Sequence, residues 1–264
     1  MRGEMFYDVN EVVIALVAII LLLLSIELGF RAAKRAPSDL TDSAKAPVLA
    51  IAGATLGLLA LLLGFTFQMS LNRFNQRKDL VLKESNAITT AYLRARLLPE
   101  PDRTVVAGLL RAYVQNRLDF YNLREDPSQF QTVLTRSLQL QQELWSHAVS
   151  AVQKDDREVT TGLFIESLNE AIDLHANRIS AMENHVPEPV LLLLISVAMM
   201  SALALGFACG LQNGRHFFVT TMMALLITMV IIVDLDLDRP RRGLIRVGQE
   251  SMVRLHESIK NDGP

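Results

Sequence analysis

The chain has 264 residues, half of them apolar, with a formal net charge of −2 and a mean hydropathy above zero. That balance excludes a nucleic-acid binder held by basic charge and points to a membrane protein rather than a soluble one. The single cysteine, Cys209, excludes an intrachain disulfide and a cysteine-based metal site.

Residues 1–11 form a short acidic lead, with Glu4, Asp8 and Glu11 against Arg2. The apolar residues that follow are bunched into four runs, about 12–30, 47–69, 189–211 and 217–234. Each is about long enough to cross ~30 Å of hydrocarbon at ~1.5 Å per residue. The first run is too long for a cleaved signal peptide, has an acidic flank and lacks a small-x-small site after it, so it reads as a retained anchor. Near its end Glu27 and Arg31 share a helical face. Because Glu27 sits within a turn of the boundary, an interfacial ion pair is favoured over a buried carboxylate in a transport path.

The loop 32–46, with Pro37, Ser38, Asp39 and Thr41, returns the chain to the membrane. In the second run Gly53, Gly57, Ala60 and Gly64 recur at spacings of three and four and so share a face. Gln68, Asn72, Asn75 and Asp79 extend that face into a stretch rich in charge, and no proline intervenes. The pattern predicts one helix over 50–96 that leaves the bilayer for water. Its small-residue face suits close helix packing and, equally, the wall of a narrow water path.

Past the membrane, Phe74, Val81, Ile88 and Ala95 repeat every seven residues. Leu97-Leu98-Pro99-Glu100-Pro101 ends the helix. A second helix is expected over 103–123. Asp126-Pro127-Ser128-Gln129 then caps a third, which runs through Leu134, Leu138 and Trp145 to about residue 152. After a polar break at 154–157, a fourth carries Ile165, Leu168, Ile172, Ile179, Met182 and Val186, and Pro187 and Pro189 stop it. Few β-branched runs and no hairpin dipeptides occur, so this region is an all-helical bundle.

Gln212-Asn213-Gly214-Arg215 is a tight turn into the last run. That run ends in Asp234-Leu235-Asp236-Leu237-Asp238-Arg239-Pro240-Arg241-Arg242-Gly243. The tail contains an amphipathic piece with Leu244, Val247, Met252, Val253 and Leu255. The expected fold is thus an all-α integral membrane protein with four transmembrane helices. Residues 1–69 form one hairpin, 70–186 a helical-bundle cytosolic domain inserted between helices two and three, 187–238 a second hairpin and 239–264 a basic, amphipathic tail. Arg73, Arg77, Lys78 and Lys83 and the arginine-rich tail place the termini and the middle domain on the cytoplasmic face of the plasma (inner) membrane; Arg31, Lys34, Arg35 and Lys45 argue the other way.

Asp234, Asp236 and Asp238 are the candidates for a hard-cation site or, in an oligomer, a cation-attracting ring. The arginines beside them favour salt bridging or headgroup contact. His175, between Ile172 and Ile179, reads as a satisfied packing histidine, and Trp145 and His147 as residues packed within the bundle. No phosphate-cradling loop, nucleophile elbow or metalloprotease motif occurs, so no catalytic residue, no cofactor and no enzyme activity is expected.

Gly64-Phe65-Thr66-Phe67, Arg73-Phe74, Arg77, Leu80-Val81, Glu84-x-Asn86-Ala87-Ile88, Tyr92-Leu93-Arg94, Leu97 to Pro101 and Asp236 to Gly243 together resemble the bacterial bestrophin-like domain family of unknown function. In that pattern the motif positions are Arg73, Glu84, Asn86, Arg94, Pro99, Asp236, Asp238, Arg239 and Pro240. The resemblance implies kinship with bestrophins, pentameric anion or cation channels with four spans per subunit and a helical cytosolic domain between spans two and three. It implies a homo-oligomer in a lipid bilayer that handles inorganic ions, with the second span lining the pore. The pore wall would then comprise Gly57, Gly64, Gln68, Asn72 and Asp79, and Phe65 and Phe67 would form the hydrophobic neck. The alternative is a non-conducting membrane scaffold or sensor whose helical domain docks a partner protein.

Overall fold

The computed structural model describes residues 9–35, 42–122, 127–154, 158–212, 214–239 and 244–261, which contain helices and no strand. The expected cap Asp126, the first-loop residues Pro37, Ser38, Asp39 and Thr41, the break at 155–157, Asn213 and the run 240–243 lie outside the described residues.

In chain order the helices are α1 (Glu11–Lys34), α2 (Asp42–Ala95), α3 (Asp102–Asn122), α4 (Pro127–Lys154), α5 (Glu158–Glu183), α6 (Glu188–Leu211), α7 (Phe217–Asp238) and α8 (Glu250–Asn261). Four of them, α1, α2, α6 and α7, contain stretches long and apolar enough to cross a membrane. Their ends follow local chemistry. Asn10 Oδ1 accepts the Val12 amide at 2.8 Å and Glu11 opens α1, while Arg31 and Lys34 close it, each charge suited to the helix dipole at its end. Helix α2 has 54 residues, about 80 Å at 1.5 Å per residue. It begins at Asp42, five residues before the apolar run, with Pro47 inside it. A proline this near the start removes one backbone bond without ending the helix.

The chain divides into two compact units. The first holds α1, α2 up to Arg73, α6 and α7. Its core is Leu22, Leu59, Leu191, Leu194, Ala198, Ala202, Ala224, Ile227, Ile231 and Leu235. Between α1 and α6 the backbones approach closely. A Cβ at Gly29 would fall on the Leu203 carbonyl oxygen, one at Gly206 on the Ile26 carbonyl oxygen, and one at Gly210 would lie 2.8 Å from the Phe30 carbonyl oxygen. Helices in lipid gain little from apolar burial, so small residues that admit such contact drive their packing. Gly53, Gly57 and Gly64 of α2, the glycines that sequence spacing singles out, have no such neighbour within 4 Å. Within the chain, then, the small-residue packing face belongs to α1 and α6, not to α2.

The second unit holds α2 from Phe74, with α3, α4, α5 and α8. The seven-residue seam of α2 enters its core through Val81, Ile88 and Ala95, joined by Val106, Leu110 and Val114 of α3 and Phe164, Leu168 and Ala171 of α5. On α4 the buried line is Leu140, Leu144, Ala148 and Ala151, whereas Leu138 and Trp145 are exposed. Trp145, expected to pack within the bundle, is thus exposed, and two alanines with the polar Ser137 and Gln141 carry inward positions of α4. On α5 the isoleucines flank a core line that includes the buried His175 and Arg178. The segment expected as a tail also contributes to the core, because α8 buries Met252, Leu255 and Ile259 there.

Gly206→Leu should lower the stability of the purified protein by about 1–3 kcal/mol, the usual penalty for overpacking, through its clash with α1. Gly57→Ala should leave the fold of the chain unchanged. Thermal unfolding in detergent checks both, and equal losses would contradict the assignment.

Candidate functional site

Helix α2 presents two opposite faces. Inward, Ala52, Leu59, Thr66, Ser70, Arg77, Val81, Glu84, Ile88 and Ala91 are buried. Outward, Gly53, Gly57, Gly64, Gln68, Asn72, Asn75, Asp79 and Asn86 are exposed. At about 100° per residue the two lines are diametrically opposed. Phe65 and Phe67 are also exposed, at 60% and 36%. They lie about 160° apart around the helix, one on either flank of the glycine line. Gln68 donates to Asn72 at 2.9 Å, and Asp79 pairs with Lys83 at 2.7 Å, so the outward line is hydrogen-bonded along itself.

In the first unit two of the three aspartates at the end of α7 accept backbone amides. Asp236 accepts the amides of Leu244 and Ile245 at 2.8 and 2.9 Å. Asp238 accepts the Val186 amide at 2.7 Å and lies 3.9 Å from Arg73 and 3.8 Å from His185. Asp234 is buried, and neither carboxylate oxygen has a hydrogen-bond partner among the described residues. Asp236 thus points away from the other two, as a helix requires for residues two apart. Arg239 donates to Glu11, at 3.1 Å, and to the Val9 carbonyl, at 2.8 Å.

In the second unit the buried ionic centre is Glu84. Arg117 Nε lies 2.9 Å from its carboxylate, and Arg178 donates a very short bond to it. Tyr113 Oη contacts the same carboxylate at 3.4 Å and in turn accepts from Gln141 at 3.0 Å, while Arg178 also donates to Gln249 at 3.3 Å. Burial works to raise the Glu84 pKa, but the charges of Arg117 and Arg178 outweigh it and hold the group far below the usual carboxylate range. Burial pushes the neighbouring Tyr113 phenol well above its ordinary value. His175 lies 3.8 Å from Glu84, and burial lowers its pKa. His175 is buried in the core beside the Tyr113 ring, with its Nδ1 turned toward the Glu84 carboxylate.

A family model described as the Bestrophin-like domain matches residues 14–252. The chain belongs to the Bestrophin-like family. No curated protein matches it. It is similar to the crystal structure of a bacterial bestrophin homologue from Klebsiella pneumoniae, with a TM-score of 0.65 and 18% identity over 97% of this chain and 100% of that one. A crystal structure described as a single-substitution membrane protein aligns with a TM-score of 0.66 at 17% identity, over 96% of this chain and 99% of that one. At such identities the likeness is one of fold.

The motif residues of this bestrophin-like chain fall into several places. Glu84 is the buried ionic centre, and Asn86 is exposed two residues on. Arg94 donates to the Leu163 carbonyl at 2.6 Å and lies 3.5 Å from Glu166, tying α2 to α5. The Pro99 carbonyl accepts the Arg103 amide at 3.1 Å, at the start of α3. Arg73, Asp236, Asp238 and Arg239 belong to the corner around the end of α7, and Pro240 lies outside the described residues. Sequence reading missed Arg117 and Arg178. The available signal was their place on the apolar faces of helices α3 and α5, where an arginine requires a buried counter-charge.

The sequence reading left His147 as a packed residue. In the structure it stands 3.1 Å from Asp102, a buried carboxylate at the start of α3 that Lys154 also contacts at 3.1 Å. Burial raises the Asp102 pKa, but those two partners lower it further, for a net fall. A depressed folded-state value means the stabilisation is complete above the unfolded carboxyl value, about 3.9, and disappears as pH falls through the folded one. Asp102→Asn should therefore flatten the loss of stability between about pH 5 and 2, read from unfolding midpoints across that range. Glu84→Gln should be harsher, lowering stability by about 3–5 kcal/mol because two buried guanidiniums lose their carboxylate; Glu166→Gln, at an exposed partner of Arg94, should change it by less than about 0.5 kcal/mol.

Proposed function

We propose that this protein is a homo-oligomeric ion channel of the bacterial inner membrane, with α2 lining the pore. The observation that carries the reading is the outward line of α2. Its inner face is used up in the subunit core, while Gly57, Gly64, Gln68, Asn72 and Asp79 remain uncovered. A line that is small inside the apolar run and polar beyond it suits a water path shared among copies around an axis. Membership of the Bestrophin-like family and the fold likeness to a bestrophin homologue support the same reading.

In such a ring Phe65 and Phe67 of one helix cannot both face the axis, being about 160° apart. Phe65 of one copy instead meets Phe67 of its neighbour, closing the wall around Gly64 and Gln68 into an apolar neck that resists wetting. Asn72 and Asp79 line the mouth beyond it. The termini and the second unit lie on the cytoplasmic side; a cysteine at the exposed Glu143 should react only from that face in oriented vesicles, and labelling from the other face would reverse the topology.

A second reading has its own observation. Leu138, Trp145, Val149 and Val152 form an exposed apolar line on α4, which suits a scaffold that docks a partner protein. Planar-bilayer recording of purified oligomers separates the two. The channel reading expects unitary currents that change at least about twofold in Phe65→Ala or Phe67→Ala, since a neck residue governs dewetting. Silent bilayers despite intact oligomers, or a monomer in mild detergent, would leave the scaffold.

A further inference from the structure

A cavity of the first unit lies between α1, α6 and α7 and measures about 380 Å³. Ile20, Leu23, Leu24 and Phe30 of α1 form one apolar wall, and Gly206, Cys209 and Phe217 belong to the other helices. Its volume falls within the roughly 300–1,000 Å³ of small-molecule pockets. The groove ends in charge. Glu27, Arg215 and His216 line it there, and the buried Thr221 hydroxyl in its wall has no hydrogen-bond partner among the described residues.

Glu27 is shared between two arginines, Arg31 at 2.7 Å and Arg215 at 3.4 Å. One carboxylate against two guanidiniums leaves this group with a net positive charge. Both arginine side chains are about two-thirds exposed, at 67% and 69%, so most of their donors still face outward. Arg215 is held over the Phe30 ring at 4.9 Å, with the Lys34 ammonium 5.6 Å from the same ring. Phe30 thus stations cations at the mouth of an apolar slot. Glu27 is in the last two turns of α1 and Arg215 precedes α7 by two residues, so the group sits where apolar spans end, at headgroup depth.

We propose that this groove binds an anionic phospholipid, with one acyl chain between α1, α6 and α7 and the phosphate held by Arg215 and Arg31. The slot supplies the apolar half of the ligand and the arginine pair the anionic half. Basic pockets between membrane helices recognise anionic headgroups in this way, and a guanidinium offers a phosphate two parallel hydrogen bonds. Glu27 orients both arginines while neutralising only one. The site does not depend on whether the protein conducts ions.

The test uses the full chain, purified and delipidated in mild detergent, with phosphatidylglycerol and phosphatidylcholine of identical chains as probes. Native mass spectrometry should show about one phosphatidylglycerol per chain, retained about tenfold more strongly than phosphatidylcholine, as two cations at the surface imply. Arg31→Ala with Arg215→Ala should bring the two lipids level, and Leu24→Trp, which fills the slot, should reduce retention of both. Equal retention of the two lipids by the unaltered protein would overturn the proposal and needs no variant to read. So would a preference for phosphatidylglycerol that survives loss of both arginines. Inorganic phosphate should give no thermal protection; protection equal to that from phosphatidylglycerol would refute the acyl-chain half of the assignment.

Discussion

One carboxylate organises the second unit. Glu84 on α2 is bonded by Arg117 of α3 and Arg178 of α5, and Tyr113, Gln141 and Gln249 extend the contact to α4 and to the residue before α8. Each of these groups loses water on burial and regains a partner only if all the helices are in register. Such a centre need not add net stability over an apolar core of equal volume, because desolvation offsets much of the attraction. What it contributes is intolerance of alternatives: a helix rotated by one position would leave a charge without a partner in the interior. The surrounding core, with its many alanines on α2, α4 and α5, offers little shape information of its own. The polar centre supplies it.

The register imposed by Glu84 also decides what α2 shows to its surroundings. With Arg77, Val81, Glu84, Ile88 and Ala91 turned inward, the opposite line of Asn75, Asp79 and Asn86 must face out. The same holds earlier along the helix. Leu59 and Thr66 are buried, and Ser201 of α6 donates to the Thr55 carbonyl at 3.0 Å, so Gly57, Gly64 and Gln68 lie on the uncovered side. Within each unit, anchoring on the inner line of α2 determines the line that is exposed there.

The membrane unit reaches its packing by another route. Helices α1 and α6 meet through missing side chains, at Gly29, Gly206 and Gly210, where backbone touches backbone. Polar groups there serve the ends of helices. Asp236 and Asp238 receive backbone amides that irregular chain would otherwise leave without acceptors, and Arg239 ties the end of α7 to the start of α1. Asp236 and Asp238, crowded at the end of an apolar span, thus serve as acceptors for backbone amides, a use that composition does not distinguish from cation binding.

The amino-acid sequence alone determined the four apolar spans, the all-helical middle region, the seven-residue seam of α2 and the stop at Pro99 and Pro101, since run length, periodicity and proline geometry act between near neighbours. It also exposed the glycine and amide line of α2, because residues three and four apart share a face whatever surrounds them. Tertiary structure alone decided which glycines meet a neighbour, which face of α4 turns inward, and that α8 belongs to a core. It alone joined Glu84 to partners 33 and 94 residues away. Those outcomes depend on how distant helices interlock, and helical periodicity gives a residue's angle on its own helix without saying what stands opposite.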